Sequence, residues 1–261
     1  MQIDLATAWE EVTDLFPNRN AINCDDRALS WRELEKRASQ LATLLTTNGL
    51  GKNSKVGLYL HNCIEYVETN FAAFKIGASP VNLNYRYKAD DLVYLLDNAD
   101  IEAIFFQSCY AMRIWEIRDR LPKIKLFVQV DDGTEGLLKG AMDYERALRS
   151  LDPAVRIQRD LSSDYLFYTA GTTGFPKGVV HEIGTFSSYF IEQVSFSHGL
   201  EPPTQIEEYR ELLTEINGSI VSLPACPLMH ETGSWPGIFI FDEGTSLLGG
   251  FEAYLAVSRK V

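Results

Sequence analysis

Two apolar periods alternate between Ser30 and Leu151, and that alternation most constrains the fold. Ser30 opens a capping box: its hydroxyl can cap a helix start while Glu33 reaches back to the Ser30 amide. Leu34, Ala38, Leu41 and Leu45 then share one helical face, and Gly49 suits a C-terminal cap. The run Lys55 to Leu60 reads as a strand, Ile64 to Ile76 as a helix stopped by Gly77, and Ser79 to Leu83 as a short strand. Helices follow over Ala89 to Asn98, Met112 to Leu121 and Tyr144 to Leu151, with strands at Ile101 to Phe106 and Leu126 to Val130. Strands alternating with helices predict βαβ units, an α/β fold of mostly parallel sheets sandwiched by helices. No Pro/Gly/Ser linker and no repeat interrupts residues 1–261, so no domain boundary is expected.

The 261 residues are 46% hydrophobic, enough for a sizeable core. Acidic residues outnumber basic ones, 36 to 24, for a net charge of −12. Such a chain repels phosphate backbones and anionic membranes at long range, so nucleic acid is not an expected partner. The longest uncharged stretch, Ile216 to His230, is too short and too broken by Pro224 and Pro227 to span a bilayer. The N-terminus has acids where a signal peptide needs bases, so a cytoplasmic location is expected. Cys24, Cys63, Cys109 and Cys226 lie far apart without a CxxC, and are expected to be buried reduced thiols. His61, His181, His198 and His230 show no paired-ligand spacing, so no metal site is readable. Ile206, Tyr209, Leu212, Leu213 and Ile216 suggest a short amphipathic helix whose acids, Glu207, Glu208, Glu211 and Glu215, form a solvated face.

Asp164 to Val179, DYLFYTAGTTGFPKGV, carries the readable chemistry. A strand, Tyr165 to Tyr168, runs into Thr169, Ala170, Gly171, Thr172, Thr173 and Gly174, and a second apolar run begins at Val179. Gly171 and Gly174 permit backbone conformations that turn amides toward an anion. Thr169, Thr172 and Thr173 add hydroxyls, Lys177 adds a mobile positive charge, and Pro176 stiffens the exit. A Walker loop does not fit, because Lys177 is followed by Gly178, and no GxGxxG follows any strand. A plain Gly/Thr-rich hairpin turn is the competing reading. The density of threonines with the Pro-Lys-Gly exit favours a phosphate cradle over residues 168–178.

The run YTAGTTGFPKGV closely resembles the phosphate-loop signature of the adenylate-forming superfamily of acyl-CoA synthetases, peptide-synthetase adenylation domains and luciferases. Ala170 stands where many members carry Ser or Gly. Pro227, Leu228, Met229, His230 and Gly233, within residues 224–233, resemble the family's Pro-apolar-apolar-His-x-x-Gly element. Weaker resemblance extends over Asn20 to Ile22, Leu29 to Leu34, Val56 to Leu58, Gly77 to Asn82 and Leu248 to Phe251. The resemblance implies that Thr169, Ala170, Gly171, Thr172, Thr173, Gly174 and Lys177 bind ATP phosphates. It implies that His230 lines the acyl and pantetheine tunnel and that Lys177 and His230 serve catalysis. The pair of motifs looks most like bacterial fatty-acid or sterol-acid CoA ligases.

The family also carries an aromatic-Gly-x-Thr-Glu element that helps hold Mg²⁺, a Thr-Gly-Asp element for the ribose, and a C-terminal domain with the adenylation lysine. None is present, so the chain is expected to correspond to roughly the first half of a synthetase, truncated before the lysine domain. ATP, Mg²⁺, coenzyme A and a small carboxylate are the implied ligands. A non-catalytic remnant with at most weak nucleotide binding, or part of an amino-acid adenylating domain, is the alternative. Uncovered sheet faces would drive aggregation, homo-oligomerisation or pairing with the missing half.

Overall fold

A computed structural model describes residues 3–169, 176–216, 221, 222, 224, 226–230, 233, 234 and 245–248. Helix α1 (Leu5–Leu15) begins at Asp4, whose carboxylate accepts the Thr7 amide at 2.9 Å. Strands β1 (Asn20–Cys24) and β2 (Arg27–Ser30) form an antiparallel hairpin turned through Asp25, at φ +51°. Helix α2 (Trp31–Thr47) carries the expected capping box: the Glu33 amide donates to Ser30 Oγ at 3.3 Å and the Ser30 amide to Glu33 Oε2 at 2.8 Å. Its far end closes at Gly49, φ +77°, with the Leu50 amide returning to the Leu45 carbonyl at 3.1 Å.

The alternation then produces β3 (Lys55–Tyr59), α3 (Ile64–Lys75), β4 (Ser79–Asn82), α4 (Ala89–Asn98), β5 (Ile101–Gln107), α5 (Ala111–Ile117), β6 (Leu126–Val130), β7 (Met142–Asp143) and α6 (Tyr144–Arg149). The predicted helix over 112–121 divides, because a 3₁₀ turn over Arg118–Arg120 follows α5. The strands form one parallel sheet in the order β4-β3-β5-β6-β7. Both faces are covered. Ala103 and Phe105 of β5 enter one apolar cluster with residues of α1, α2, α3 and α6, and Ile104 and Phe106 enter the other with α4 and α5. Burial on both sides explains why the β5 sequence reads as an unbroken apolar run.

A second unit follows. Strands β8 (Asp164–Thr169) and β9 (Lys177–Glu182) pair antiparallel, and α7 (Ile183–Ser197) and α8 (Ile206–Ile216) come next. Tyr209, Leu212, Leu213 and Ile216 of α8 are buried, as its pattern predicts. Strands β10 (Val221–Ser222) and β11 (Thr245–Leu248) join the first hairpin in the order β10-β11-β1-β2. The outer strand β9 leaves Val179 and Val180 exposed. The cysteine expectation is corrected in part. Cys24 and Cys63 are buried, but Cys109, in a 3₁₀ turn over Ser108–Tyr110, is exposed and Cys226 is half-buried. Among the described residues no helix is long and apolar enough to cross a membrane.

A buried ionic cluster ties α1, α2 and α3 to the segment before β8. Lys75 Nζ lies 2.7 Å from both Glu10 Oε1 and Glu35 Oε1, and Arg159 Nη2 lies 2.6 Å from Glu10 Oε1. Burial pushes the Glu10 carboxyl up, but Arg159 and Lys75 outweigh it and hold the group below its ordinary value.

Candidate functional site

In this doubly wound sheet, strand order reverses between β3 and β5, and the crevice at such a point opens beyond the carboxyl ends of the strands. The residues leaving those ends build the candidate site. Strand β8 lies beside β4, yet belongs to a different sheet. Side chains of β4 take the place of a backbone ladder. The Leu166 amide donates to Ser79 Oγ at 2.7 Å and the Tyr168 amide to Asn82 Oδ1 at 2.8 Å, while Asn82 Nδ2 donates to the Tyr168 carbonyl at 3.0 Å. The Tyr168 hydroxyl is held by Asn98 Oδ1 at 2.6 Å. The two Asn82 bonds to Tyr168, the residue before Thr169, fix where β8 delivers Thr169, while Ser79 anchors the strand further back.

Across the hairpin Thr169 pairs with Lys177 and Tyr168 with Gly178. The Thr169 hydroxyl donates to the Lys177 carbonyl at 3.4 Å, and the Lys177 side chain is exposed. A Cβ on Gly178 would meet Leu166 Cδ1 at 2.8 Å and the Tyr168 ring at 3.2 Å, so a larger residue there requires those side chains to shift. Hairpin geometry, which the sequence sets against a phosphate cradle, is therefore present at the loop's base. Ala170, Gly171, Thr172, Thr173 and Gly174 lie outside the described residues.

The His230 element packs against the same strand ends. The His230 amide donates to the Pro227 carbonyl at 3.0 Å, and the His230 carbonyl accepts the Gly233 and Ser234 amides, both at 2.9 Å. A Cβ on Gly233 would overlap the carbonyl oxygens of Pro227 and Cys226, so this tight turn requires glycine. Leu228 and Met229 are buried anchors. Three side chains from the β3–α3 region and β4 grip their backbone, and Ser234 Oγ within the element donates to the Leu228 carbonyl. Asn62 Oδ1 accepts the Leu228 amide at 2.8 Å, the Tyr66 hydroxyl donates to the Leu228 carbonyl at 3.0 Å, and Asn82 Nδ2 donates to the Met229 carbonyl at 2.7 Å. His230 is left half-buried. Desolvation, with a smaller contribution from the Arg86 guanidinium, pushes its imidazole below its ordinary pKa, favouring the neutral ring.

Thus Thr169 and His230 each follow a residue hydrogen-bonded to Asn82. Asn62, Tyr66 and Asn82 do not stand out in the sequence as site-building residues. Their one local signal is polarity at the carboxyl end of a buried strand or in the helix that follows it. Among the described residues no three His, Cys, Asp or Glu side chains gather as metal ligands. Hollows of about 540 and 520 Å³, lined respectively by Met142 and Arg146 and by Arg37 and Gln40, lie on other parts of the surface.

Fold and site define a doubly wound α/β protein of the ligand-binding kind, with polar groups gathered at the carboxyl ends of parallel strands. The family model for AMP-binding enzymes matches residues 9–241, and the chain belongs to that family. A 3-oxocholest-4-en-26-oate–CoA ligase of Rhodococcus rhodochrous is 34% identical over 241 residues, covering 90% of this chain and 42% of the relative. A medium/long-chain-fatty-acid–CoA/3-oxocholest-4-en-26-oate–CoA ligase of Mycobacterium marinum is 32% identical over 249 residues, covering 91% and 44%. The solved acetoacetyl-CoA synthetase of Streptomyces lividans superposes with a TM-score of 0.80 at 16% identity, covering 95% of this chain and 39% of that one. The chain therefore spans somewhat under half the length of these curated relatives.

Proposed function

We propose that this chain is the N-terminal portion of an AMP-forming acyl-CoA synthetase acting on a fatty acid or related carboxylate. An oxygen of the carboxylate attacks the α-phosphorus of ATP, and the bond to pyrophosphate breaks. The thiol of coenzyme A then attacks the acyl carbon, and AMP leaves. In this reading the Thr169 hydroxyl, the loop over Ala170, Gly171, Thr172, Thr173 and Gly174, and the Lys177 ammonium hold the β- and γ-phosphates. Charge builds on those phosphates as pyrophosphate departs, so a cation and hydrogen-bond donors facing them stabilise the transition state more than the ground state. The hairpin register that sets Thr169 opposite Lys177 supports this role. His230, kept neutral by partial burial, lines the acyl and thiol path without adding a charge beside the reacting carboxylate. The Mg²⁺ that the family resemblance implies has no ligand cluster among the described residues.

The observation that carries the reading is the meeting of the loop strand and the His230 element at the same strand ends. Its test is Lys177→Ala in the full-length enzyme, followed by carboxylate-dependent ATP–pyrophosphate exchange. Loss of one preorganised donor is expected to lower exchange by about 10²–10³-fold. Exchange and ATP affinity equal to wild type would overturn the assignment.

A further inference from the structure

We infer that Asn82 is a positioning residue that holds the start of the phosphate loop and the His230 element in one register, aligning nucleotide and carboxylate. The inference rests on the function proposed above and adds the device that joins its two motifs. Asn82 ends β4 and is 7% exposed. A primary amide offers two N–H donors and a carbonyl acceptor. Here the oxygen takes the Tyr168 amide at 2.8 Å, and the nitrogen gives to the Tyr168 carbonyl at 3.0 Å and the Met229 carbonyl at 2.7 Å. Tyr168 and Met229 lie 86 and 147 positions downstream of Asn82, so one side chain closes two long loops at a single point.

Its neighbours divide the labour differently. Ser79 holds β8 through the Leu166 amide, and Asn62 and Tyr66 hold the His230 element through Cys226 and Leu228. Asn82 bonds to both segments. Residue type matters as much as place. Aspartate would keep the acceptor for Tyr168 but set carboxylate oxygen against two carbonyl oxygens. Alanine would leave all three backbone groups without this partner, in a site where water is mostly excluded. The amide carries no charge, so it fixes geometry beside a polyphosphate and a carboxylate without adding to the field they experience. Displacement of about 1 Å between reacting groups is enough to cost about 10²-fold in rate.

The test uses the full-length enzyme with Asn82→Ala, Asn82→Asp and, as control, Ser79→Ala, each rate normalised to folded protein. Asn82→Ala and Asn82→Asp are expected to lower kcat of pyrophosphate exchange by about 10–10²-fold, with the KM for ATP shifted by no more than about threefold. Ser79→Ala lowers the denaturation midpoint and leaves kcat near wild type. Wild-type kcat in Asn82→Ala, or equal kcat losses in the Ser79 and Asn82 variants, would overturn the inference. An independent reading comes from the His230 imidazole resonance in a pH titration, assigned through His230→Gln. Release of Met229 wets the ring and raises its pKa in the Asn82 variants but not in Ser79→Ala. An unchanged titration overturns the bridge. Should wild-type enzyme show no carboxylate-dependent exchange, the proposed function falls, and this titration still decides the bridge.

Discussion

Two of the buried polar knots among the described residues are built on opposite principles. Around Lys75, Glu10 and Arg159 the bonds are ionic, and they join α1, α2 and α3 to the segment before β8. Around Asn82 and Asn62 the bonds are neutral, and they join strand ends to the backbone of the candidate site. Buried charges repay their desolvation only in fixed, well-partnered arrangements, so they suit a rigid scaffold. Amides give direction without charge, so they suit the place where, in the function proposed, a charged ligand sets the field. The difference predicts that damage to the first knot is read in stability and damage to the second in catalysis.

The largest expected effect tests the ionic side. Glu10→Ala removes a partner of both Lys75 and Arg159, leaving two cations short of compensation in the interior. Stability is expected to fall by about 3–5 kcal/mol, measured as a shift of the denaturant midpoint. The kcat of the molecules that remain folded should not change. A loss under about 1 kcal/mol would mean that water or neighbouring Glu35 and Asp4 replace Glu10, and the contrast between the two knots would weaken.

Both knots lay outside what the sequence displays, for the same reason. Local period, caps and breakers report interactions within a few residues, and here they located the parallel sheet, the Ser30 box and the Gly49 cap. They also located the strand before the Thr/Gly loop, whereas the Pro227 to Gly233 element stands out only through the family resemblance and its tight turn emerges only in the fold. Helix α1, capped by Asp4, and the β1–β2 hairpin, turned at Asp25, go unread in the sequence, because pairing with later elements such as β11 is what fixes them. Helix α7 mixes serine with phenylalanine and shows weak facing, so its sequence resembles neither a clear helix nor a strand. A contact such as Asn82 to Met229 spans 147 positions and leaves no local pattern. Without the fold, an asparagine at a strand end is one of many.

A smaller perturbation sharpens the comparison from the site. In Gly233→Ala the new methyl group meets the carbonyl oxygens of Pro227 and Cys226, backbone atoms that cannot swing aside as a side chain would. Overpacking of this kind costs about 1–3 kcal/mol. The midpoint should therefore move less than in Glu10→Ala. Pyrophosphate exchange per folded molecule should nevertheless drop, because the turn that presents His230 must open. Exchange that follows the folded fraction alone would show that the turn is structural and that His230 need not be placed by it.

The smallest effect separates the regions by pH. Both Glu10 and His230 have folded pKa values below their ordinary ones, 4.5 and 6.5. In each case the unfolded chain takes up its proton first as pH falls, so each contribution is present at neutral pH and is lost on acidification. The windows differ. The His230 loss begins as pH falls through about 6.5 and ends at its depressed folded pKa, whereas the Glu10 loss begins only near 4.5. His61, pushed down by its own burial although Asp132 pulls the other way, contributes in the first window too. Denaturant midpoints measured from pH 7.5 to 5 for wild type, His230→Gln and His61→Gln resolve the two histidines. Each variant should flatten part of the decline above pH 5, and Glu10→Gln should leave that part intact. A wild-type slope that survives in His230→Gln would mean that the imidazole is hydrated in the folded protein, and the neutral ring assigned to the acyl path would be lost.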